Sequence, residues 1–329
     1  QMGPLVSARQ AERVAAYVAG AREAGATVLT GGERSEHAFF SPAVVVDVKP
    51  AMQIVREEVF GPVLVAQPYD DLDEVAAWAN DTPYGLCSYI SGEDADAKRV
   101  ADCAKRTGKK VVVGYILRHH PSWMRLIAEA RALGGPYVFR LNLNQQSSGA
   151  TWEVHKALMQ TTPPIVDCGV HYVDVMCQIT DAKPIEVRGM GLRLSNEIAP
   201  DMYNYGHFQV LFEDGSLGWY EAGWGPMMSD TAFFVKDVVS PNGAVSIRMP
   251  ESARSDDHDT HTKTSMLRIH RNGQPDEDLN MADEPDHQAL CEREQAFVAR
   301  AITENIDLSR HMQDAVQSLA ICLAADQSV

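Results

Sequence analysis

Apolar and polar positions follow a helical period at the start of the chain. In RQAERVAAYVAGARE, Val14, Tyr17 and Val18 recur at spacings of three and one, which predicts an amphipathic helix. Ser7, with Gln10 three residues later, has the form of a capping box at the start of this helix. The chain therefore opens with a predicted helix that buries one face.

Short apolar runs then alternate with further helical patterns. The predicted strands are ATVLT, AVVVDV and YGLCSYIS. The predicted helices are DDLDEVAAWAND and DADAKRVADCAKRTG, and Asp71 is a possible N-cap of the first. The segment KKVVVGYIL contains a continuous apolar run of strand length, which is typical of a strand buried on both faces. This part of the chain has an α/β pattern.

After Pro121 the pattern changes. The helix PSWMRLIAEARALGG precedes the strand PYVFRLNLNQQ, and SSGATWEVHKAL is interpreted as a polar linker. Residues 184–248 are dominated by strand patterns, with EDG and PNG as hairpin turns. One more strand, KTSMLRIH, precedes two amphipathic helices, the second with Ser309 as a possible N-cap.

The predicted fold class is α+β. An α/β amino-terminal segment is followed by a large, mainly antiparallel, open-faced sheet packed with helices.

Composition narrows the possible partners. The formal charge of −16 and the pI near 5.1 disfavour nucleic acid and anionic membranes. We find no apolar run long enough for a membrane helix. The six cysteines form no C-x-x-C pair, so we expect reduced thiols in a cytoplasmic protein and no metal site.

Three ionisable residues interrupt the apolar stretch DCGVHYVDVM. In a helix, Asp167, His171 and Asp174 share a stripe within about 60°. A carboxylate one turn from an imidazole can orient the ring and raise its basicity, as alcohol oxidation requires of a proton acceptor. The alternative interpretation is a satisfied core histidine with structural aspartates. A metal site formed with Cys168 is less favoured, because a second ligand cluster is missing.

The second part of the chain, from about residue 104 to 329, resembles the carboxy-terminal portion of the glucose–fructose oxidoreductase, inositol dehydrogenase and MocA (Gfo/Idh/MocA) family. The resemblance rests on KKVVVGYILRHHP, the D-x-x-x-H-x-x-D pattern, FEDGSLGWYEAGWGP and SLAICLAADQSV. It implies NAD- or NADP-dependent hydride transfer on a sugar or polyol hydroxyl. It also implies that His171 takes the hydroxyl proton and that Asp167 positions the substrate and tunes the histidine.

Further residues are assigned to substrate binding. Arg118 and His120 match a segment that lines the same cleft in the resembling family, and Asp174 completes the motif. Four aromatic side chains could stack on a sugar face: Trp152, Tyr205, Trp219 and Trp224. For Trp219 and Trp224, a place in the core or at a sheet interface is the alternative. The sheet of that family pairs subunits, which predicts a homodimer or homotetramer.

Two motifs of the resembling family are missing from this sequence. We find no complete G-x-G-x-x-G dinucleotide turn, since GMGLRL lacks the third glycine, and no Glu-Lys-Pro segment. We therefore expect the Rossmann domain to be absent and the activity of this chain to be impaired.

Residues 1–103 resemble the later part of the aldehyde dehydrogenase catalytic domain. The matching segments are MGPLVSARQAERV, REEVFGPVL and NDTPYGL. The resemblance implies cofactor contacts by Glu58, at the nicotinamide ribose, and by Phe60, beside the nicotinamide. We favour the alternative of a strand-entry turn with Phe60 in the core, because the other half of that cofactor site is missing. Cys87 and Cys103 lack the nucleophile context of that family.

The predicted organisation is thus an apparent chimera of residues 1–103 and 104–329. The first hypothesis is an impaired NAD(P)-dependent oxidoreductase acting on a sugar or polyol. The alternatives are a non-catalytic oligomerisation or sugar-binding module, and an aldehyde dehydrogenase remnant. The acidic stretch DDHDTH is interpreted as a solvated loop.

Overall fold

The helix predicted near the start of the chain is present in the computed structural model and is capped as expected. Helix α1 spans Ala8–Glu23, and the Ser7 side chain accepts a hydrogen bond from the Gln10 backbone N–H. Val14 and Val18 are fully buried on one face of α1, as their spacing predicted.

The structure describes residues 3–81, 94–231, 234–256, 264–281 and 283–329. The chain forms two compact units, Gln1–Ile90 and Ser91–Val329. The predicted strand YGLCSYIS, the NDTPYGL turn from residue 82 and most of DDHDTH lie outside the described residues.

The first unit is built on a small mixed sheet. Its strands are β1 (Thr27–Thr30), β2 (Ala43–Val46) and β3 (Val63–Val65), in the order β1-β2-β3. The β1/β2 pair is antiparallel and the β2/β3 pair is parallel. Helix α1 packs on this sheet, and two shorter helices accompany it: α2 (Gln53–Arg56) and α3 (Leu72–Asn80), which is capped by Asp71 as predicted.

The second unit contains most of the helices formed by the described residues. They are α4 (Asp94–Thr107), a 3₁₀ helix (Ile116–His119), α5 (Pro121–Leu133), α6 (Gly149–Leu158), α7 (Pro164–Asp167), α8 (Gly169–Ile179), α9 (His287–Thr303) and α10 (Ser309–Gln327). None of the helices among the described residues is both long enough and apolar enough to cross a membrane.

An eight-stranded sheet forms the centre of the second unit. Its strands are β4 (Val138–Gln146), β5 (Pro184–Leu192), β6 (Tyr205–Phe212), β7 (Leu217–Gly225), β8 (Lys236–Ser240), β9 (Gly243–Arg248), β10 (Met266–Arg271) and β11 (Glu277–Asn280). The order is β11-β10-β9-β8-β4-β7-β6-β5, and among these described strands the central β4/β7 pair alone is parallel. The predicted α+β class with a mainly antiparallel sheet is confirmed.

Turn residues fit the predicted hairpins. Gly215 of EDG joins β6 to β7 with a φ of 82°, a left-handed conformation that glycine adopts without strain. The PNG segment joins β8 to β9.

The helices cover one face of the large sheet. Phe139, Phe208 and Tyr220 project from the sheet into a core that also contains Trp123 of α5 and Tyr172 of α8. The rings of Tyr172 and Tyr220 stack with their centroids 5.2 Å apart. This packing fixes α8, and with it His171, relative to the sheet.

The strand prediction for KKVVVGYIL is wrong. Residues 109–115 form no regular element and lead into the 3₁₀ helix. The Val113 N–H donates to His311 Nε2, and Lys110 Nζ donates to the Ile306 carbonyl. The apolar run is held by α10 and the segment before it, without the neighbouring strands that a buried strand requires.

Two smaller predictions are also corrected. The linker SSGATWEVHKAL contains helix α6, because Trp152 and His155 bury one face of the segment. Ser309 is the first helical residue of α10 and Leu308 occupies the N-cap position, so the local serine preference did not locate the boundary.

Candidate functional site

A pocket of about 280 Å³ lies where the helices of the second unit meet the end of strand β4. Its walls come from the 3₁₀ helix, β4, α6, the α7/α8 junction, β7 and the first residue of α9. The lining residues are Ile116, Leu117, Leu143, Gln145, Val154, His155, Leu158, Asp167, Cys168, His171, Tyr172, Trp224 and His287.

Asp167 and His171 both line this pocket. The predicted single helix is divided in two, because α7 ends at Asp167 and α8 begins at Gly169, with Cys168 in helical conformation between them. Pro164 occupies the first turn of α7, as the prolines predicted. The near-continuous helical path still places the two side chains one turn apart.

The imidazole of His171 is neutral at neutral pH. Burial, followed by the nearby His287, lowers the pKa of His171 to about 4. Its ring packs against the edge of Tyr115 at 5.3 Å, and its buried Nδ1 has no hydrogen-bond partner. Because burial dominates, the expected rise in basicity is wrong.

Asp167 is more difficult to ionise than a solvated aspartate. Burial raises its pKa, and the hydrogen bond from the Cys168 thiol, at 3.8 Å, partly opposes that rise. The described hydrogen bonds do not join the Asp167 carboxylate to the His171 ring. Asp167 therefore contributes to the electrostatic potential in the pocket and does not orient the imidazole directly.

Arg118 and Asp174 are paired with each other. Arg118 Nε donates to Asp174 Oδ2 at 2.8 Å, and Arg118 Nη2 also reaches Asp314 Oδ2 at 3.3 Å. Burial raises the pKa of Asp174 to about 6, against the opposing effect of Arg118. Neither side chain lines the pocket, so the structure does not bring these two predicted residues to Asp167 and His171.

His120 and Trp152 are buried outside the pocket walls. His120 caps α5, because its Nδ1 accepts a hydrogen bond from the Ser122 N–H. Trp152 packs with Met159, Ile198 and Trp224. The predicted substrate contacts of His120 and Trp152 stay predictions.

Several pocket residues, among them His155 and His287, were missed at the level of sequence. His155 stacks on Trp224 with ring centroids 4.3 Å apart and an interplanar angle of 13°. Trp224 is buried, which agrees with the alternative interpretation of this residue as part of the core. Trp219 is partly exposed on the sheet. His287 arrives from the start of α9, and no local pattern could have linked it to residues 167–171.

The proposed cofactor contacts of the first unit lie on its surface. Phe60 is 71% exposed with a φ of 51°, so the interpretation of Phe60 as a core residue is wrong. Glu58 is also exposed, and its carbonyl accepts a hydrogen bond from Arg13. Their contact with a cofactor stays a prediction.

The described residues do not fit a complete dinucleotide site. Gly31 and Gly32 follow strand β1, but they lead to the antiparallel strand β2 and not to a helix N-terminus that could hold a pyrophosphate. Within the same described ranges, no cluster of three or more His, Cys, Asp or Glu side chains could hold a metal ion.

Two family models match successive parts of the chain. Residues 1–119 match the aldehyde dehydrogenase family, and residues 123–235 match the GFO/IDH/MocA C-terminal domain. Both sequence resemblances are confirmed. The first family match ends at residue 119 and the second begins at residue 123, whereas the boundary between the compact units lies between residues 90 and 91. Because neither boundary coincides with the predicted junction near residue 103, that junction stays a prediction.

Curated relatives match the first part. A mitochondrial aldehyde dehydrogenase from Leishmania tarentolae is 46% identical over 97 residues, and a chloroplastic betaine aldehyde dehydrogenase from Beta vulgaris is 40% identical over 100 residues. Each match covers 29% of this chain and 20% of the relative. This chain thus spans one fifth of the length of these relatives.

Solved structures resemble the second part in fold. The aldose-aldose oxidoreductase from Caulobacter crescentus, complexed with glycerol, aligns with a TM-score of 0.55 at 18% identity, over 72% of this chain and 66% of that chain. A UDP-N-acetylglucosamine 3-dehydrogenase from Acidithiobacillus ferrooxidans aligns with a TM-score of 0.52 at 16% identity, over 72% and 67%. Residues 1–119 are thus similar to the aldehyde dehydrogenase family and residues 123–235 to the GFO/IDH/MocA C-terminal domain, and both are oxidoreductase families.

Proposed function

We propose that the second unit binds a sugar or polyol as the substrate-binding part of an NAD(P)-dependent oxidoreductase. The observation that carries this proposal is one pocket wall that holds both the Asp167 carboxylate and the neutral ring of His171. The match to the GFO/IDH/MocA domain supports the same class of reaction.

His171 is the proposed proton acceptor. A neutral imidazole has a nitrogen lone pair, so it can take the proton of a hydroxyl that is being oxidised. The imidazolium that forms would be stabilised by the nearby carboxylate of Asp167. A pKa of about 4 makes the ring a weak base, so a bound substrate, together with the charge of Asp167, would have to raise the pKa.

We propose that hydride transfer by this chain alone is impaired. The described residues lack a complete dinucleotide site, so NAD or NADP would bind weakly. The main alternative is a non-catalytic sugar-binding or oligomerisation module, which the outward-facing Val138 and Leu217 of the sheet favour. An aldehyde dehydrogenase remnant is the least supported function.

The first test follows NAD(P)H formation by absorbance with sorbitol and either oxidised cofactor. We expect slow turnover that falls by about 10²–10⁴-fold in His171→Ala, the usual contribution of a general base. The matched control is His270→Ala, because His270 lies exposed on β10 and pairs with Asp276. An equal rate in His171→Ala and the parent protein would remove His171 from the mechanism.

Cofactor binding separates the alternatives. Energy transfer from tryptophan to NADH or NADPH reports binding without turnover. If neither cofactor binds at millimolar concentration while sorbitol still binds, the sugar-binding module replaces the oxidoreductase hypothesis.

A further inference from the structure

Two neighbouring turns of the second unit contain asparagine followed by glycine. Asn242-Gly243 joins β8 to β9, and Asn272-Gly273 follows the end of β10. The turns are in contact, because the Asn272 backbone N–H donates to the Asn242 carbonyl at 3.1 Å. Glycine has no side chain to shield its backbone nitrogen, so the same intramolecular reaction is chemically open to both pairs.

This reaction converts the asparagine amide to a carboxylate. The backbone nitrogen of the glycine loses its proton and attacks Cγ of the asparagine side chain. A C–N bond closes a succinimide ring, the bond from Cγ to the side-chain nitrogen breaks, and ammonia leaves with the proton. Water then opens the ring at one of its two carbonyl groups, which gives aspartate or isoaspartate. The ring can close where the peptide unit between the two residues is free to rotate.

The sheet holds the first pair in place. Gly243 begins β9 and is paired with Ser240 of β8 on one side and with Arg271 of β10 on the other. It is buried, and a Cβ added to it would clash with the carbonyl oxygen of His270. The peptide unit between Asn242 and Gly243 therefore cannot rotate unless β9 separates from its neighbours.

The second pair is free of these restraints. Asn272 and Gly273 are exposed and follow Arg271, the last residue of β10. No atom of the described chain, apart from those of its neighbours in sequence, lies within 4 Å of a Cβ added to Gly273. The described hydrogen bonds also leave the Gly273 N–H without a partner. The Asn272 side chain donates to the Pro241 carbonyl at 2.7 Å, but water competes for this exposed bond.

We propose that Asn272 is a modification site, at which the folded protein converts asparagine to aspartate or isoaspartate while the sheet protects Asn242. An ionised carboxylate has no proton to donate to the Pro241 carbonyl, so the modification removes a hydrogen bond between the two turns. It also adds a negative charge beside Arg271 in the wall of a surface cavity of about 350 Å³. This inference is independent of the proposed function.

Peptide mapping by mass spectrometry of the full chain tests the proposal. One sample is aged folded at mildly alkaline pH, and a second is aged unfolded in guanidinium chloride. Fragmentation by electron transfer distinguishes aspartate from isoaspartate in each peptide. In the folded sample we expect the product at Asn272 to form on the order of tenfold faster than the product at Asn242, because the latter requires local opening of the sheet. In guanidinium chloride the two rates should be similar.

A substitution assigns the product to its position. Asn272→Gln should remove the main product of the folded sample, because the longer side chain closes the ring less readily. The matched control is Asn196→Gln, at an exposed asparagine that is followed by Glu197. This control should leave the rate at Asn272 unchanged.

Two results would overturn the inference. Equal rates at Asn242 and Asn272 in the folded sample would show that the sheet gives no protection. Product at Asn272 that forms in guanidinium chloride but not in the folded sample would show that the turn is closed to the reaction.

Discussion

His311 is a buried histidine that serves the fold in its neutral form. Its Nε2 accepts the Val113 backbone N–H at 2.8 Å, a bond that a protonated ring cannot make. Burial, together with Arg118 and His119, lowers the pKa of His311 to about 4. At the residue scale, the irregular segment 109–115 thus depends on the protonation state of one side chain.

This pKa predicts a loss of stability in mild acid. The unfolded chain binds a proton at His311 near pH 6.5, whereas the folded chain resists protonation until about pH 4. The contribution of the neutral ring is therefore complete above pH 6.5, and up to about 3 kcal/mol is lost as the pH falls toward 4. His311→Gln keeps an acceptor for Val113 and does not titrate.

Urea unfolding of the parent protein and of His311→Gln at pH 7, 6 and 5 isolates this effect. Asp174, with its raised pKa, changes stability in the opposite direction but equally in both proteins. We expect the parent protein to lose more stability than the variant. Parallel pH profiles would contradict the assignment.

At the element scale, a buried ion pair ties three helices together. Asp174 of α8 pairs with Arg118 of the 3₁₀ helix, which also reaches Asp314 of α10. The Asp174 side chain is fully buried, so its charge depends on Arg118 and on the hydrogen bond from Gln178. Asp174 thus supports the helix that carries His171.

Removing this carboxylate is expected to be costly. Asp174→Ala leaves the charge of Arg118 largely buried without its main partner, a change that typically lowers the free energy of unfolding by about 3–5 kcal/mol. We expect a loss of about 3 kcal/mol, because Asp314 still contacts Arg118. Asp237→Ala is the matched control, because its partner Arg140 is 55% exposed and can be solvated, so it should cost less than about 1 kcal/mol. Urea unfolding midpoints measure the stability of both variants. A similar loss of stability in Asp174→Ala and Asp237→Ala would argue against a structural role specific to Asp174.

At the scale of the whole molecule, the outer face of the large sheet predicts self-association. Val138 of β4 and Leu217 of β7 are register partners on this face and are 41% and 37% exposed. Trp219, two residues further along β7, is only partly covered. A second copy of the chain would bury these apolar side chains.

Sedimentation velocity tests this prediction. We expect a species of at least twice the 36.1 kDa chain mass, and a shift to monomer in Val138→Lys, because a buried lysine at the interface is costly. Ile302→Lys on the exposed side of α9 is the control. A parent protein that stays monomeric at every concentration would refute a dimer through the sheet.

Local patterns predicted most elements of this protein correctly. Helix α1 with its Ser7 cap and the hairpin at Gly215 follow from periodicity and turn chemistry, which depend on neighbours in the chain. The same patterns failed at residues 109–115 and at α6. An apolar run does not reveal whether another strand will lie beside it, and a mixed segment does not reveal which of its faces will be buried.

Local sequence patterns were enough to predict most of the helices and strands, the two family resemblances and the proximity of Asp167 to His171. Folding of the chain brings Gln145, His155 and His287 to the same pocket, and it pairs Arg118 with Asp174 away from that pocket. The physical reason is sequence separation. Spacing along one helix fixes which side chains share a face, whereas contacts between distant segments depend on how the sheet and helices pack. The same packing lowers the pKa of His171, because burial is a property of the folded chain and not of its local sequence.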